Sequence, residues 1–352
     1  MEFIRKHVLP MYDLADASVS PLGNGHINRT YLVKSDQRTI VLQHINTQVF
    51  PQPELLVKNA LSIAAHLTKK QANNEYQLAI IKPVLTVDGQ AYLDFNQQGF
   101  WRAITFLPGS HTIEVVKDQQ DAQTAAKAFG HFAAALSDLD PSLIDEVIVN
   151  FLNLGNRIDQ LKQAIENDAA GRLAQCQPWA DFVLSQQGFV EHVAQLEAQL
   201  PLRICHNDTK INNMLFNKQD MSSLAVIDLD TCMPGYLMYD FGDMVRAFCS
   251  PEAEDSTNLA SVIARPEVIT AAANSYIEQL DGVMTALEKQ SLWVGLKAMA
   301  LMLGCRFLTD HLNGDVYFAV HRPQHNLDRA ANQLTIYQSL LAQESQLQAL
   351  FS

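Results

Sequence analysis

Residues 204–216, Ile-Cys-His-Asn-Asp-Thr-Lys-Ile-Asn-Asn-Met-Leu-Phe, and residues 225–230, Ala-Val-Ile-Asp-Leu-Asp, decide how this chain is read. Asp208 stands five residues before Asn213 on one loop, and Asp228 closes the apolar run that follows. Phosphoryl transfer from a nucleoside triphosphate asks for few groups. One carboxylate orients and deprotonates the acceptor hydroxyl, and hard oxygen ligands hold Mg²⁺ against the phosphates. The spacing His206-x-Asp208-x4-Asn213, a short hairpin and then Ile227-Asp228 supplies these parts at fixed offsets between strand-like apolar residues.

His206, Asp208, Asn213, Asp228, Pro234-Gly235 and Tyr239-Asp240 together resemble the aminoglycoside phosphotransferase and choline kinase superfamily, whose fold is similar to that of protein kinases. Three longer stretches, 206–216, 226–246 and 305–318, look more narrowly like the N-acetylhexosamine 1-kinase branch. The likeness runs from the Gly-containing segment near residue 23 to the His/Asn/Asp/Arg run at 325–329. It implies an α+β, bilobal, protein-kinase-like fold. A small antiparallel-sheet N-terminal lobe spans 1–108 with a hinge near 104–109, and a larger, mainly helical lobe spans 109–352. It also implies ATP and Mg²⁺ as partners in the reaction and a small-molecule sugar as acceptor.

Composition sets outer bounds. With 352 residues, 48% of them hydrophobic, the chain can bury a large core. A net charge of −13 argues against binding nucleic acid, whose affinity comes from Lys and Arg on phosphates. The five cysteines (176, 205, 232, 249, 305) form no CxxC pair and the start lacks a secretory apolar segment, so reduced thiols in a cytoplasm are expected. The most apolar segment, 292–308, is interrupted by Lys297 and Arg306 and reads as a buried core helix, not a membrane span.

Along the chain, strands are expected at 30–33, 39–43, 78–83, 90–94 and 100–106, with one helix from Pro53 to Leu67. After Pro108-Gly109 the register becomes helical: 118–139, then 157–166, 178–199, 267–281, 284–308 and 326–348, interrupted by a hairpin-like insert at 202–230.

By the resemblance, Asp208 is the catalytic carboxylate, His206 a buried loop element, and Asn213 and Asp228 the Mg²⁺ ligands. Asp230 lies two residues on; in an extended segment it points to the same face as Asp228, to complete the metal site, orient substrate or bond nearby backbone. Asp240-Phe241-Gly242 spells the tripeptide that binds metal in protein kinases, but it falls a dozen residues too late, so Asp240 reads as support for the catalytic loop. Gly23, Gly25 and Asn28 belong to a turn placed to cover phosphates, where glycines admit close backbone approach. Gln43 occupies the strand position where a phosphate-binding Lys is usual. An amide donates a hydrogen bond but does not neutralise charge, leaving Lys34, Lys58 or Lys82 as substitutes and Glu54 as a candidate helix partner. Thr105 and Leu107 are the expected adenine-reading hinge. Arg306 and Tyr317, with Asp310 behind them, are the expected sugar contacts, a salt bridge from Arg306 to Asp310 being the structural alternative. Choline, homoserine and aminoglycoside acceptors, and a silent ATP-binding module, are the competing readings.

Overall fold

The computed structural model describes residues 1–23 and 27–352; Gly25, expected over the phosphates, lies outside the described residues. The N-terminal part alternates apolar residues at period two, and it folds as β1 (Ser18–Pro21), β2 (Arg29–Lys34) and β3 (Thr39–Ile45). Helix α1 (Pro53–Ala72) and strands β4 (Pro83–Val84), β5 (Leu93–Asp94) and β6 (Phe100–Thr105) follow. All pairings are antiparallel, in the order β1-β2-β3-β6-β4, with β5 also on β6. Val33, Ile40, Leu42, Trp101 and Ala103 face Ile4, Val8, Leu9 and Tyr12 of the N-terminal helical segment. Ile45 and Phe100 on the opposite face pack with Leu56 and Val57 of α1. Gln43 and Arg102, in register across β3 and β6, share that second face by the alternation of side chains.

Two expected strands shrink: 90–94 to Leu93–Asp94, and 78–83 almost entirely. The run 78–83 is apolar because Leu78, Ile80 and Ile81 are buried, and only Pro83–Val84 join the sheet. The backbone N–H of Ala79 donates instead to Leu224 O, 2.8 Å away, in the hairpin described next.

The remaining chain is mainly helical. Strand β7 (Ser110–His111) leads to α2 (Gln119–Leu136), α3 (Leu154–Asn167), α4 (Leu173–Leu184) and α5 (Gln187–Glu197). Strands β8 (Arg203–Cys205), β9 (Met214–Asn217), β10 (Ser223–Val226) and β11 (Met233–Gly235) then precede α6 (Leu237–Phe248), α7 (Pro266–Gln279), α8 (Ala286–Leu312) and α9 (His325–Ala342). The single helix expected over 178–199 is two, α4 and α5, broken at Ser185-Gln186. The β9–β10 hairpin and the β8–β11 ribbon are both antiparallel.

Helix α8 is long and apolar enough to span a membrane, but it is the buried spine of this lobe. It starts at a capping box, Thr285 with Glu288, and its buried Lys297 is neutralised by Glu344. Helix α6 crosses it at bare backbone: a Cβ on Gly242 would come within 2.4 Å of Gly295 O, and one on Gly295 within 2.0 Å of Met238 O. Glycines here permit the close approach on which the lobe is built.

Candidate active site

The catalytic loop follows β8 and is clamped from beneath. Asn207 takes a left-handed conformation, φ 62°, which costs energy for any residue with a side chain. The buried Asp240 carboxylate on α6 fixes it by accepting the backbone N–H of His206 (2.8 Å) and of Asn207 (2.7 Å). The Asn207 side chain donates to Cys205 O, Thr231 O and Met233 O, stitching the loop to β8 and β11. The wholly buried His206 sits edge-on to Phe129 and Phe132 and bonds Ile227 O through Nε2 at 2.8 Å. It is a strut between the loop and the end of β10. Gly242 is held at the α6–α8 crossing, so the Asp240-Phe241-Gly242 tripeptide builds the floor of the site.

Asp208 leaves this floor towards the cleft. Its Oδ1 lies 2.8 Å from Lys210 Nζ, and its Oδ2 accepts Asn213 Nδ2 at 2.8 Å. Burial pushes the carboxyl up, but Lys210, then the other polar neighbours, outweigh it, and the group sits below the usual carboxylate range. Lys210 is held protonated mainly by Asp208. Sequence reading passed over Lys210; its position two residues after Asp208, on the same loop, was the available signal.

Asn213 and Asp228 are brought together by the hairpin. Ile227 N–H donates to Asn213 O at 2.9 Å, so Asp228 emerges beside Asn213. The Asn213 amide nitrogen is spent on Asp208, and among the described residues neither Asn213 Oδ1 nor the Asp228 carboxylate has a partner. Asp228 opens on water in the cleft yet is ringed by protein. That surround, then the Asp230 and Asp208 carboxylates, raises it to about 7. An uncompensated carboxylate beside an amide oxygen fits Mg²⁺, which takes one or two protein oxygens and completes its shell with phosphates and water.

Asp230 does not join this pair. Asp228 adopts φ 59° and ψ 55°, and a tight turn follows over Leu229–Thr231, so the segment is not extended and the same-face expectation fails. Asp230 turns into the interface between lobes, buried, where one oxygen is ion-paired with Arg102 and the other accepts Asn28 Nδ2 at 2.7 Å. The cation nearest Gln43 is thus Arg102, whose Nε donates to Gln43 Oε1 at 3.0 Å. Lys34 and Lys82 are exposed, Lys58 pairs with Asp145 at 2.6 Å, and Glu54 is exposed at the start of α1. Asn59 of α1 ties the lobes instead, through Asp145 and the carbonyl of Cys232.

At the expected hinge, Thr105 spends its N–H and hydroxyl on the backbone of Lys82, and Leu107 O accepts Ser110 Oγ at 2.6 Å. Among the described residues the Leu107 N–H has no acceptor and is free to meet a base edge. Asn28 also accepts Asn46 N–H at 3.0 Å, anchoring the start of β2. Gly23 holds φ 72° with open space around it.

In the 305–318 segment the structure corrects two readings. Asp310 is buried and makes no ion pair with Arg306. Its oxygens accept the N–H groups of Val316 (2.9 Å), Tyr317 (2.8 Å) and Phe318 (2.9 Å) and the amide of Asn326 (2.9 Å). It shapes the loop and has no capacity left for a sugar hydroxyl. Arg306 lies over the rings of Phe151, Tyr317 and Phe318, its centre 5.3–5.7 Å from each, and among the described residues its one polar partner is the Tyr317 hydroxyl (3.5 Å). Beyond Lys210 lies a polar wall that sequence reading did not assemble. There Arg246 donates to Asp243 Oδ1 (2.7 and 3.0 Å) and to Glu254 (2.8 Å), while Asp243 Oδ2 is buried with no partner among the described residues.

Comparison with known proteins agrees with this arrangement. Residues 18–268 match the model of the phosphotransferase enzyme family. Similar solved structures include a microcompartment-associated aminopropanol kinase (16% identity, 98% of each chain covered, TM-score 0.58). A choline kinase from Streptococcus pneumoniae is also similar (11% identity, 97% of this chain and 98% of that chain, TM-score 0.54). So is aminoglycoside 2'-phosphotransferase-IIIa in its GDP complex (14% identity, 96% and 97%, TM-score 0.57). The chain belongs to the phosphotransferase enzyme family and, with its sheet lobe, helical lobe and clamped catalytic loop, is a small-molecule kinase of the aminoglycoside phosphotransferase and choline kinase superfamily.

Proposed function

We propose that this kinase transfers the γ-phosphoryl group of ATP to the anomeric hydroxyl of N-acetylglucosamine or N-acetylgalactosamine, giving the sugar 1-phosphate. Residues 1–108 bind the nucleotide and residues 109–352 the acceptor, with the Leu107 N–H and the Thr105 carbonyl reading adenine at the hinge. Gly23, Asn28 and Gln43 lie on the phosphate side. Asp208 orients the acceptor hydroxyl and takes its proton. The anomeric hydroxyl is more acidic than an ordinary alcohol, so a carboxylate held below its usual range suffices as base. Asn213 and Asp228 hold Mg²⁺, which when bound neutralises charge on the phosphates. Five buried, unpaired cysteines support a reducing, cytoplasmic setting.

The observation that carries the acceptor class is Arg306. An acceptor such as choline needs open aromatic faces for its ammonium group. Here a guanidinium already covers three rings, and among the described residues it has no carboxylate to cancel it. Such a surface repels a cation and suits a neutral, hydroxylated ring that takes hydrogen bonds from Arg306 and packs against the part of Tyr317 that Arg306 leaves exposed.

Turnover of ATP with Mg²⁺ against N-acetylglucosamine, N-acetylgalactosamine, choline, homoserine and kanamycin tests the reading, with the product identified by phosphorus NMR. The expected product carries phosphate on C1 of an N-acetylhexosamine, and Asp208→Asn abolishes it. Turnover confined to an amine-bearing acceptor would overturn the sugar assignment and leave the kinase intact.

A further inference from the structure

The strand position that lacks a lysine is not left without a cation. Arg102 stands directly across from Gln43 in the β3–β6 register, on the same face of the sheet. It is 5% exposed, in the middle of a sheet that gives it no carboxylate of its own. A buried guanidinium there is tolerable only if fully paired, and both of its described partners belong to the site. One end forms the ion pair with Asp230, two residues after Asp228, from the other lobe. The Nε end donates to Gln43 Oε1 at 3.0 Å.

The second bond fixes an orientation. With Oε1 tied back to Arg102, the Gln43 NH₂ group points away from it, towards β2. Its sole described contact there is Thr30 Oγ1 at 3.5 Å, at the limit of a hydrogen bond. An amide free to flip would present donor or acceptor at random; this one presents a donor. The ion pair at the other end anchors the turn after Asp228, because Asp230 is the next side chain but one.

We propose that Arg102 is the positioning residue that replaces the missing strand lysine. Through Gln43 it aims a donor at the nucleotide phosphates, and through Asp230 it holds the Asp228 turn against the nucleotide-binding lobe. This rests on the phosphotransferase chemistry and is independent of the sugar assignment.

Equilibrium binding without turnover tests it. Calorimetry measures Mg²⁺-loaded, non-hydrolysable ATP analogue on wild type, Arg102→Met and Arg102→Lys, and ligand-observed NMR measures adenosine, which has no phosphates. Arg102→Met is expected to weaken the analogue by about ten- to a hundredfold, the loss of one charge-assisted hydrogen bond, and to leave adenosine within about twofold. Arg102→Lys, keeping the charge but not the bridging fork, falls between. Adding Gln43→Lys to Arg102→Met restores analogue affinity. Should Arg102→Met fail to fold because Asp230 is left buried and unpaired, Arg102→Met/Asp230→Asn removes that charge and gives the same comparison. Equal losses for analogue and adenosine would reduce Arg102 to a fold element, and an unchanged analogue affinity would also overturn the proposal.

Discussion

Asp240→Asn separates a scaffold from a ligand at the one carboxylate that a motif search would misassign. In the wild type each Asp240 oxygen accepts one catalytic-loop N–H, at 2.8 and 2.7 Å. Burial raises its carboxyl from 3.8 to about 6, against the stabilising effect of His206 and those two N–H groups. At about 1.4 kcal/mol per pH unit, holding it ionised at neutral pH costs about 3 kcal/mol. The amide removes that cost but loses one charge-assisted bond, worth about 1.5–3 kcal/mol, and sets an NH₂ against a backbone N–H. The two effects nearly cancel, so stability at pH 7 should stay within about 2 kcal/mol of wild type. Activity should not. Without its second anchor the left-handed Asn207 relaxes and carries Asp208 with it, and a displacement of about 1 Å at reacting groups costs about a hundredfold in kcat. The pH dependence has a definite sign. A carboxyl raised in the folded state contributes most below its unfolded value, and that contribution is lost as pH rises through the folded one. The stability difference between wild type and variant should therefore fall by about 2.4 kcal/mol between pH 4 and pH 7. Urea unfolding at the two pH values and a Mg²⁺ titration of kcat test both halves. A Mg²⁺ requirement that rises in Asp240→Asn and stays fixed in Asp228→Asn would make Asp240 the metal carboxylate and refute the reasoning.

Gly295→Ala places a methyl 2.0 Å from Met238 O and should cost about 3 kcal/mol or more, read as a lowered thermal midpoint with Asp208 chemistry unchanged per folded molecule. Glu288→Gln breaks the two-pronged pair with Arg203 (2.9 and 3.0 Å) beneath β8 and should cost about 3 kcal/mol at neutral pH. Despite burial, Arg203 and the Thr285 cap hold the Glu288 carboxyl below 4.5. Its contribution is thus present above 4.5 and lost as pH falls through the folded value, a component of acid unfolding that the variant should lack. Asp310→Asn loosens the N–H groups of Val316 to Phe318 and should raise the acceptor KM by about tenfold with the nucleotide KM unmoved; parallel changes in both would place that loop away from the acceptor.

The catalytic loop was legible because its chemistry is local: Asp208, Asn213 and Asp228 lie within one hairpin, and the strands around them are short apolar runs. Most helices were legible from their 3.6-residue period; the exceptions are α6, which no expected helix covered, and the junction of α4 and α5 at Ser185-Gln186, a break without glycine or proline. Asp230 was misread because Ile227-Asp228-Leu229-Asp230 alternates like a strand, and Asp228 can take a left-handed conformation that most residues avoid. Asp310 looked like a ligand because nothing local announces that three N–H groups six to eight residues on will converge on it. Arg102 was invisible for the same reason at larger range, since Asp230 lies 128 residues away.

These long-range pairs resolve how a chain of net charge −13 serves a polyanionic substrate. The cations next to the catalytic loop and the Asp228 turn each have a carboxylate: Lys210 has Asp208, Arg102 has Asp230, and Arg246 has Asp243 and Glu254. Fixed pairs of this kind supply oriented donors without a large excess of positive charge, so the lobes do not repel one another when empty. Among the described residues Asp228 alone is left uncompensated at the mouth of the cleft. A free triphosphate entering there meets a carboxyl already crowded by its surround and by the Asp230 and Asp208 carboxylates, whereas a triphosphate carrying a divalent cation brings the charge that would keep Asp228 ionised. Were Asp228 to hold the metal, leaving that one carboxylate unpaired would favour the metal-bound nucleotide over the free one.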